Sequence, residues 1–358
     1  MLIQFYGQFG GQNSNAIVSR GLACALQRSG LDVQIYDPDG VYNGLWEDIP
    51  TGISPSAEIG LYVGYPPHAI QYLTGHPIRV GCFISESSIL PADWSAIAAS
   101  CDLVCVPSRW NAMAFIQGGV SPKKLMVVPH GLSPVWAKQV RRERPSGPFS
   151  FLHIAGAAGF RERKGTLKLI KAFGQLGREM NNDLSLMLRC GMTDPNLVSA
   201  IKKTEVPDIF ILSEEEPVEP SAMRKFLCRD WDALVLPSRG EAFGLCALEA
   251  RSVGLPVILT HCSGHAQHAE SWDTVIEHGT NRPCSVNGIP GGAAPSVTTS
   301  AIYDALLEFI QNRHSRWLWA QQGANNYYDK HSWGKAARDL TRWLRARRKM
   351  ISHPGIGI

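Results

Sequence analysis

Two glutamates stand eight positions apart in Arg239-Gly-Glu-Ala-Phe-Gly-Leu-Cys-Ala-Leu-Glu249, between an apolar run, Ala233–Leu236, and a helical pattern. In such a strand–loop–helix setting Glu241 belongs to the loop, and Glu249 lies about two turns further on. The amides of Phe243, Gly244 and Leu245 fall at the helix start. Amides there lack intrahelical acceptors, and the helix dipole favours an anion or a sugar oxygen. Gly244 lets a ligand approach the backbone closely. A carboxylate one or two turns into the helix can take both hydroxyls of a ribose, as an acidic residue does in dinucleotide sites. The competing reading is a loop glutamate plus a solvent-facing helix glutamate. The whole string in its context favours the functional one.

A second segment, Gly156-Ala-Ala-Gly-Phe-Arg-Glu-Arg-Lys-Gly165, follows another apolar run. Its small residues make a tight turn, after which come Arg161, Arg163 and Lys164. A diphosphate leaving a sugar gains negative charge, and cations held nearby stabilise it, as a metal does elsewhere. Arginine offers a fork and lysine a point charge. A solvated basic loop is the alternative.

These residues must be positioned by strands and helices. Short apolar runs alternate with helical patterns: strands at Leu2–Tyr6, Asp32–Tyr36, Glu58–Val63, Arg79–Phe83, Leu103–Val106 and Leu125–Val128, and helices at Asn15–Ser29, Ala92–Ala99 and Trp110–Gln117. Such alternation predicts an α/β chain of βαβ units with a parallel sheet covered on both faces. A polar, Pro/Gly-bearing stretch, 138–148, reads as a linker and a candidate hinge. A second series starts at Phe149–Ala155 and continues with Leu184–Arg189, Asp208–Leu212, Ala233–Leu236 and Pro256–Thr260. Gly288–Ala294 reads as a glycine-rich loop, and the chain is helical from Ala301 to about Met350. The expected domains are 1–137, 149–325 and a terminal helix, 326–350, that returns to the first. An echo links the halves: Asp102-Leu-Val-Cys-Val-Pro-Ser-Arg109 and Asp232-Ala-Leu-Val-Leu-Pro-Ser-Arg239. Each ends a strand where open α/β sheets bind ligands, which makes Ser238 a donor-site candidate.

The chain has 358 residues, 44% hydrophobic and 18% charged, enough for two cores and outside the disordered class. A net charge of +4 suits an anionic ligand but is too small to imply nucleic acid by itself. Nine cysteines without a C-x-x-C pair read as buried free thiols in a reducing compartment. No basic leader precedes a long apolar segment, and no apolar run approaches the roughly 20 residues of a membrane-spanning helix. The expectation is a cytoplasmic protein, with peripheral attachment to a membrane left open.

With these strings in view, the chain resembles the "group 1" retaining glycosyltransferases of the GT-B fold, most strongly over Val127–Gly131, Gly156–Gly165 and Val235–Thr260. The resemblance implies two Rossmann-like domains facing each other across a cleft, closing around a nucleotide-sugar donor, with the terminal helix crossing back. Glu241 to Glu249 matches the family's E-x7-E motif. By resemblance Glu241 touches the transferred sugar and Glu249 the nucleotide ribose. Phe243, Gly244 and Leu245 meet sugar and phosphate through the backbone. Lys164, with Arg161 or Arg163, holds the diphosphate. The family retains anomeric configuration through front-face attack and needs no metal for the chemistry. A UDP- or GDP-sugar is the expected donor, with no other cofactor. Val127-Val-Pro-His-Gly131 resembles the end-of-first-domain signature and makes His130 a candidate sugar or acceptor contact. The family's first loop often carries Gly-Gly a fixed distance before its helix; here Gly10-Gly11 lies a few residues further upstream, with Gln12-Asn-Ser-Asn15 inserted, which leaves Gly11 a candidate donor contact and Gly10 a candidate sugar or acceptor contact. Many members place a histidine after the strand equivalent to Arg79–Phe83. Here Ile84-Ser-Glu86 stands there, so Glu86 is a candidate for sugar or acceptor, against a plain helix N-terminal carboxylate.

Other signals carry less. Asp37-Pro-Asp39-Gly reads as a turn rather than a metal site. His261, His265 and His268 with Glu270 lack a zinc framework and read as donor-sugar contacts or as structural. Ser263-Gly264 shapes a turn near the donor. Trp333, Ala337, Leu340 and Leu344 have helical spacing for a helix with arginines outward. Tyr42, Trp46, Tyr62, Tyr65 and His68 offer aromatic surface or core. A growing glycan or lipid-linked glycan is the first choice of acceptor, and hydroxymethylated DNA the second, which a steep salt dependence of binding would favour. Readings of another class are a nucleotide-sugar epimerase and a non-catalytic nucleotide-sugar binder; the paired glutamates and basic loop fit a transferase better.

Overall fold

The computed structural model describes the chain apart from residues 1, 12, 41–48, 139, 141, 144, 157–160, 182, 192–194, 214–218, 287–288 and 353–358. Tyr42, Trp46, Arg141 and Arg144 therefore lie outside the described residues. The chain divides into two compact units. Met1–Ser85, Ile89–Ser133 and Asp329–Ile358 form the first; Glu86–Ser88 and Pro134–Tyr328 form the second.

The first unit runs β1 (Leu2–Tyr6), α1 (Ser14–Arg28), β2 (Asp32–Tyr36), β3 (Ile59–Gly64), α2 (Pro66–Leu73), β4 (Ile78–Phe83), α3 (Ala92–Ala99), β5 (Leu103–Val106), α4 (Arg109–Gln117) and β6 (Leu125–Val127). All six strands are parallel, in the order β2-β1-β3-β4-β5-β6. Buried runs such as Leu103–Val106 are apolar throughout because helices cover both faces of a parallel sheet. Caps set where helices begin: Asn13 accepts from the Ala16 amide before α1, and Ser108 from the Asn111 amide before α4.

The second unit runs β7 (Phe149–Gly156), α5 (Arg161–Lys164), α6 (Thr166–Glu179), β8 (Leu184–Cys190), α7 (Pro195–Lys202), β9 (Ile209–Ser213), α8 (Pro220–Leu227), β10 (Ala233–Leu236), α9 (Leu245–Ser252), β11 (Val257–Thr260), β12 (Thr274–Ile276), β13 (Asn281–Val286), β14 (Ile289–Pro295), α10 (Thr299–Gln311) and α11 (Arg313–Ala324). Its six-stranded parallel sheet has the order β12-β11-β10-β7-β8-β9. Its core closes around Phe151 of β7, packed edge-on to Phe173 of α6 and Phe309 of α10. Each such fully buried ring contributes about 1.5–3 kcal/mol by leaving water.

The terminal segment carries α12 (Tyr327–His331), α13 (Trp333–Ala336) and α14 (Arg338–Ser352). Trp333, Ala337, Leu340 and Leu344 are buried, while Arg338, Arg342, Arg345 and Arg347 are exposed. Among the described residues no helix is long and apolar enough to cross a membrane.

One reading needs correction. Residues 289–295 are not loop but strand β14, paired antiparallel with β13. The pairing satisfies the backbone whatever the side chains, so glycine there does not signal a loop. Within the stretch 138–148, read as a linker, one side chain is packed into the second unit. Arg142 is 4% exposed, and its guanidinium donates to the carbonyls of Arg229, Trp231 and Gly254.

The Asp-to-Arg echo is structural. Asp102 exchanges a backbone bond with Arg79, and its carboxylate accepts from the Arg79 amide at 2.8 Å. Asp232 does the same with Ser150, also at 2.8 Å. In both units an aspartate locks the start of an inner strand to its neighbour.

Candidate active site

In the second unit the chain lays down β7, β8 and β9 in one direction, then returns to place β10 on the other side of β7. The carboxyl ends of β7 and β10 therefore form a switch point, the place where such sheets bind ligands. The β7 loop leads into α5, with Arg163 and Lys164; the β10 loop carries Ser238 to Gly244 and leads into α9, with Glu249.

The β10 loop is tied backbone to backbone to α5. The Arg239 amide donates to the Arg163 carbonyl at 2.8 Å. His153, buried on β7, spans the same junction. Its Nδ1 donates to the Val235 carbonyl at 2.8 Å, so its Nε2 accepts from the Thr166 hydroxyl at 2.9 Å. Burial lowers its pKa to about 4, which keeps it neutral. Sequence reasoning missed His153; a histidine inside an apolar strand was the available signal.

Glu241 is held on all sides. Its amide donates to Ser263 Oγ at 3.0 Å, and its carbonyl accepts from the Gly264 amide at 2.8 Å. Its Oε1 lies 2.7 Å from Lys164 Nζ and 3.1 Å from Arg163 Nη1. Burial alone pushes the carboxyl up, but the Lys164 and Arg163 charges outweigh it and hold Glu241 well below its ordinary value. Arg163 also donates to the Gly240 carbonyl at 2.6 Å. Arg163 is thus the arginine that shares a partner with Lys164; the Arg161 side chain lies outside what is described. Arg239 donates to the Pro295 carbonyl and pairs with Glu162 at 2.7 Å. The Ser238 hydroxyl is buried and has no hydrogen-bond partner among the described residues.

Glu249 is the opposite case. It is 6% exposed, and its carboxyl has no hydrogen bond among the described residues. Burial pushes its pKa up to about 8, with Arg189 opposing. A buried carboxyl without a donor is costly, and hydroxyls from a ligand are the kind of group that removes the cost.

Gly244 caps α9 with φ 98°, and a Cβ there would lie 2.3 Å from His265 Cδ2. Phe243 is a core side chain at 2% exposure, so only its backbone faces the loop. Leu245 begins α9; the Ala247 amide donates back to the Gly244 carbonyl at 3.1 Å, and the Leu245 and Cys246 amides stand ahead of it at the helix start. Among the described residues no group of three His, Cys, Asp or Glu side chains is arranged to hold a metal.

Glu86 joins this unit. Its carbonyl oxygen would meet a Cβ on Gly240 at 2.3 Å. The next residues are bonded to Ala293 of β14: its amide donates to Ser87 Oγ at 3.1 Å, and its carbonyl accepts from the Ser88 amide at 3.0 Å. The fold thus places Glu86 beside the Gly240–Glu241 loop.

In the first unit, Gly10 and Gly11 lie in the loop between β1 and α1. Asp37 Oδ2 accepts from the Phe9 and Gly10 amides, each at 2.8 Å, while Arg20 donates to the carbonyls of Phe9 and Gly11. Asp37 also makes the turn expected of it, accepting from the Asp39 amide. His130 packs on Trp333 at 5.9 Å between ring centroids, and burial lowers its pKa to about 3. Tyr62 is core, stacked on Tyr72.

Two units, each a six-stranded parallel sheet between helices, have the architecture of GT-B glycosyltransferases. The structure of HepE from Anabaena in complex with UDP and glucose aligns with a TM-score of 0.72 at 13% identity, over 97% of this chain and 100% of that one. WaaG, a glycosyltransferase involved in lipopolysaccharide biosynthesis, aligns with a TM-score of 0.66 at 16% identity, over 95% and 98%. Residues 151–282 match the family described as glycosyl transferases group 1. A D-inositol 3-phosphate glycosyltransferase of Pseudarthrobacter chlorophenolicus is 29% identical over 156 residues, 41% of this chain and 36% of that protein. The similarity thus spans about a third of that relative's length.

Proposed function

We propose that the chain is a retaining glycosyltransferase that moves a sugar from UDP to a hydroxyl of a glycan or lipid-linked glycan. The observation that carries this reading is the pairing, at one switch point, of a buried carboxyl without a donor, Glu249, and a carboxylate clamped by two cations, Glu241 with Lys164 and Arg163. Glu249 takes the ribose hydroxyls. The first-turn amides of α9 meet the diphosphate or the sugar, and Glu241 contacts the transferred sugar. The bond from the anomeric carbon to the diphosphate oxygen breaks. A bond from that carbon to the acceptor oxygen forms on the same face, and the acceptor's proton passes to the leaving phosphate. Lys164 and Arg163 stabilise the charge left on the diphosphate. HepE's complex with UDP and glucose supports UDP as the nucleotide. The exposed arginines of α14 suit an anionic lipid surface and so support a lipid-linked acceptor.

A thermal-shift panel of UDP-, GDP-, ADP- and TDP-sugars tests the reading. A rise with a UDP-sugar, lost in Glu249→Ala, is expected. No rise with any donor at millimolar concentration overturns it.

A further inference from the structure

Behind the β10 loop lies a chain of buried polar groups that meets the loop at Phe243. Arg251 follows Glu249 by two residues on α9, about 200° further round the helix, so it points away from Glu249. It is 1% exposed. Its Nε and Nη2 donate to the two carboxylate oxygens of Asp273 at 2.9 and 2.6 Å. Its Nη1 meets His268 Nδ1 at 2.7 Å. A guanidinium can only donate, so Nδ1 must be the unprotonated nitrogen. His268 Nε2 then carries the proton and donates it to the Phe243 carbonyl at 2.8 Å. The ring also packs on Phe243, with centroids 4.5 Å apart. Asp273 is fixed in turn by the Glu270 amide at 2.8 Å.

We propose that Asp273, Arg251 and His268 are positioning residues: they hold the Phe243 carbonyl and so aim the Gly244 and Leu245 amides at the bound nucleotide diphosphate. The polarity of the chain is fixed from one end to the other. The carboxylate selects the guanidinium's orientation, the guanidinium selects the histidine tautomer, and the tautomer supplies the one N–H that the Phe243 carbonyl receives from the ring. Gly244, with φ 98°, is the next residue. Its permissive backbone would let the loop drift, and a bonded carbonyl one residue earlier removes that freedom. Fixed amides stabilise an anion without reorganising when it arrives. The assignment rests on the proposed donor site.

The test compares His268→Leu with His268→Gln in the full chain. Glutamine presents an amide N–H toward Phe243 and an oxygen toward Arg251, so it can replace both bonds; leucine replaces neither. UDP affinity is measured by calorimetry at a temperature where circular dichroism shows every variant folded. A merely structural residue leaves affinity unchanged under that condition. The expected result is a loss of tenfold or more in His268→Leu and a value within about threefold of wild type in His268→Gln. Where His268→Leu does not fold, Arg251→Lys carries the test: it keeps a charge opposite Asp273 but loses the fork, and a loss of about fivefold or more is expected. Equal affinity across the folded variants overturns this assignment and leaves the donor site standing. Absence of UDP binding by the wild type overturns the donor site, and this assignment with it.

Discussion

Lys164 Nζ lies 2.7 Å from Glu241 Oε1, and the two side chains are 16% and 10% exposed. The ammonium offsets the burial of the carboxylate, with Arg163 as the second cation. Breaking a buried pair by removing one partner is more costly than the pair itself is stabilising. Because Arg163 remains, Lys164→Ala is expected to lower stability by about 1–3 kcal/mol at pH 7. A carboxyl held below its ordinary value stabilises the fold above that value, and the contribution is lost as pH falls through the lowered one. The deficit of Lys164→Ala relative to wild type therefore shrinks toward pH 3. Urea unfolding at pH 7 and at pH 3.5 reads this, and a deficit independent of pH counts against the pair. With donor bound, the same ammonium faces the leaving diphosphate, so kcat should fall more than KM rises.

Glu249 gives the opposite pH dependence. Its pKa is raised from an ordinary 4.5 to about 8 by burial. Between those values the folded protein holds a proton that the unfolded chain has released, so stability falls as pH rises. The shift sets an upper bound of about 5 kcal/mol across that window. Glu249→Gln cannot titrate. Its melting temperature, relative to wild type, should climb steadily from pH 5 to pH 8.5. A flat difference would show that the carboxyl is already ionised in the free protein. The same position governs donor binding, where Glu249→Ala should cost about 1–3 kcal/mol of affinity.

The two glutamates were legible because their string sits between a strand pattern and a helix pattern, and those periodicities survive folding unchanged. The β10 and α9 boundaries follow from the apolar run Ala233–Leu236 and from the helix start at Leu245. What the sequence could not show is pairing across topology. Arg251 and Asp273 are 22 residues apart, and His153 meets Val235 across 82. Such partners are set by which strands become neighbours, and no local period reports that. Arg142 looked like part of a solvated linker because its neighbours are polar, yet three carbonyls bury it. The glycines of β14 looked like a loop because glycine weakens a strand locally, and only the pairing with β13 overrides that. Glu86 shows the reverse: its position after β4 drew notice, but its place beside Gly240 comes from the bonds of Ser87 and Ser88 to Ala293.

Arg142 makes a separate prediction. Its guanidinium is the donor for the carbonyls of Arg229, Trp231 and Gly254, and burial lowers its pKa to about 10. Arg142→Ala leaves buried carbonyls unsatisfied, at about 1–3 kcal/mol for each that water fails to reach. The loss should reach at least about 2 kcal/mol in urea unfolding. Hydrogen exchange should rise first around Arg229–Trp231, where two of the three acceptors lie. Unchanged exchange there would show that Arg142 does not anchor this stretch.

Gly244→Ala tests whether the start of α9 tolerates any displacement. At φ 98° an alanine is strained by about 1–3 kcal/mol. Its Cβ would also stand 2.3 Å from His265 Cδ2, and His265 is 1% exposed. Gly30 separates strain from clash. It too has positive φ, 80°, but a Cβ there meets nothing within 4 Å. Gly30→Ala should therefore cost only the strain and leave nucleotide binding untouched. Gly244→Ala should cost clearly more in urea unfolding and weaken UDP binding by tenfold or more, because the backbone must shift away from His265 and take the first-turn amides with it. Equal losses of stability in the two variants would mean that His265 yields. An unchanged UDP affinity in Gly244→Ala would mean that these amides do not meet the nucleotide.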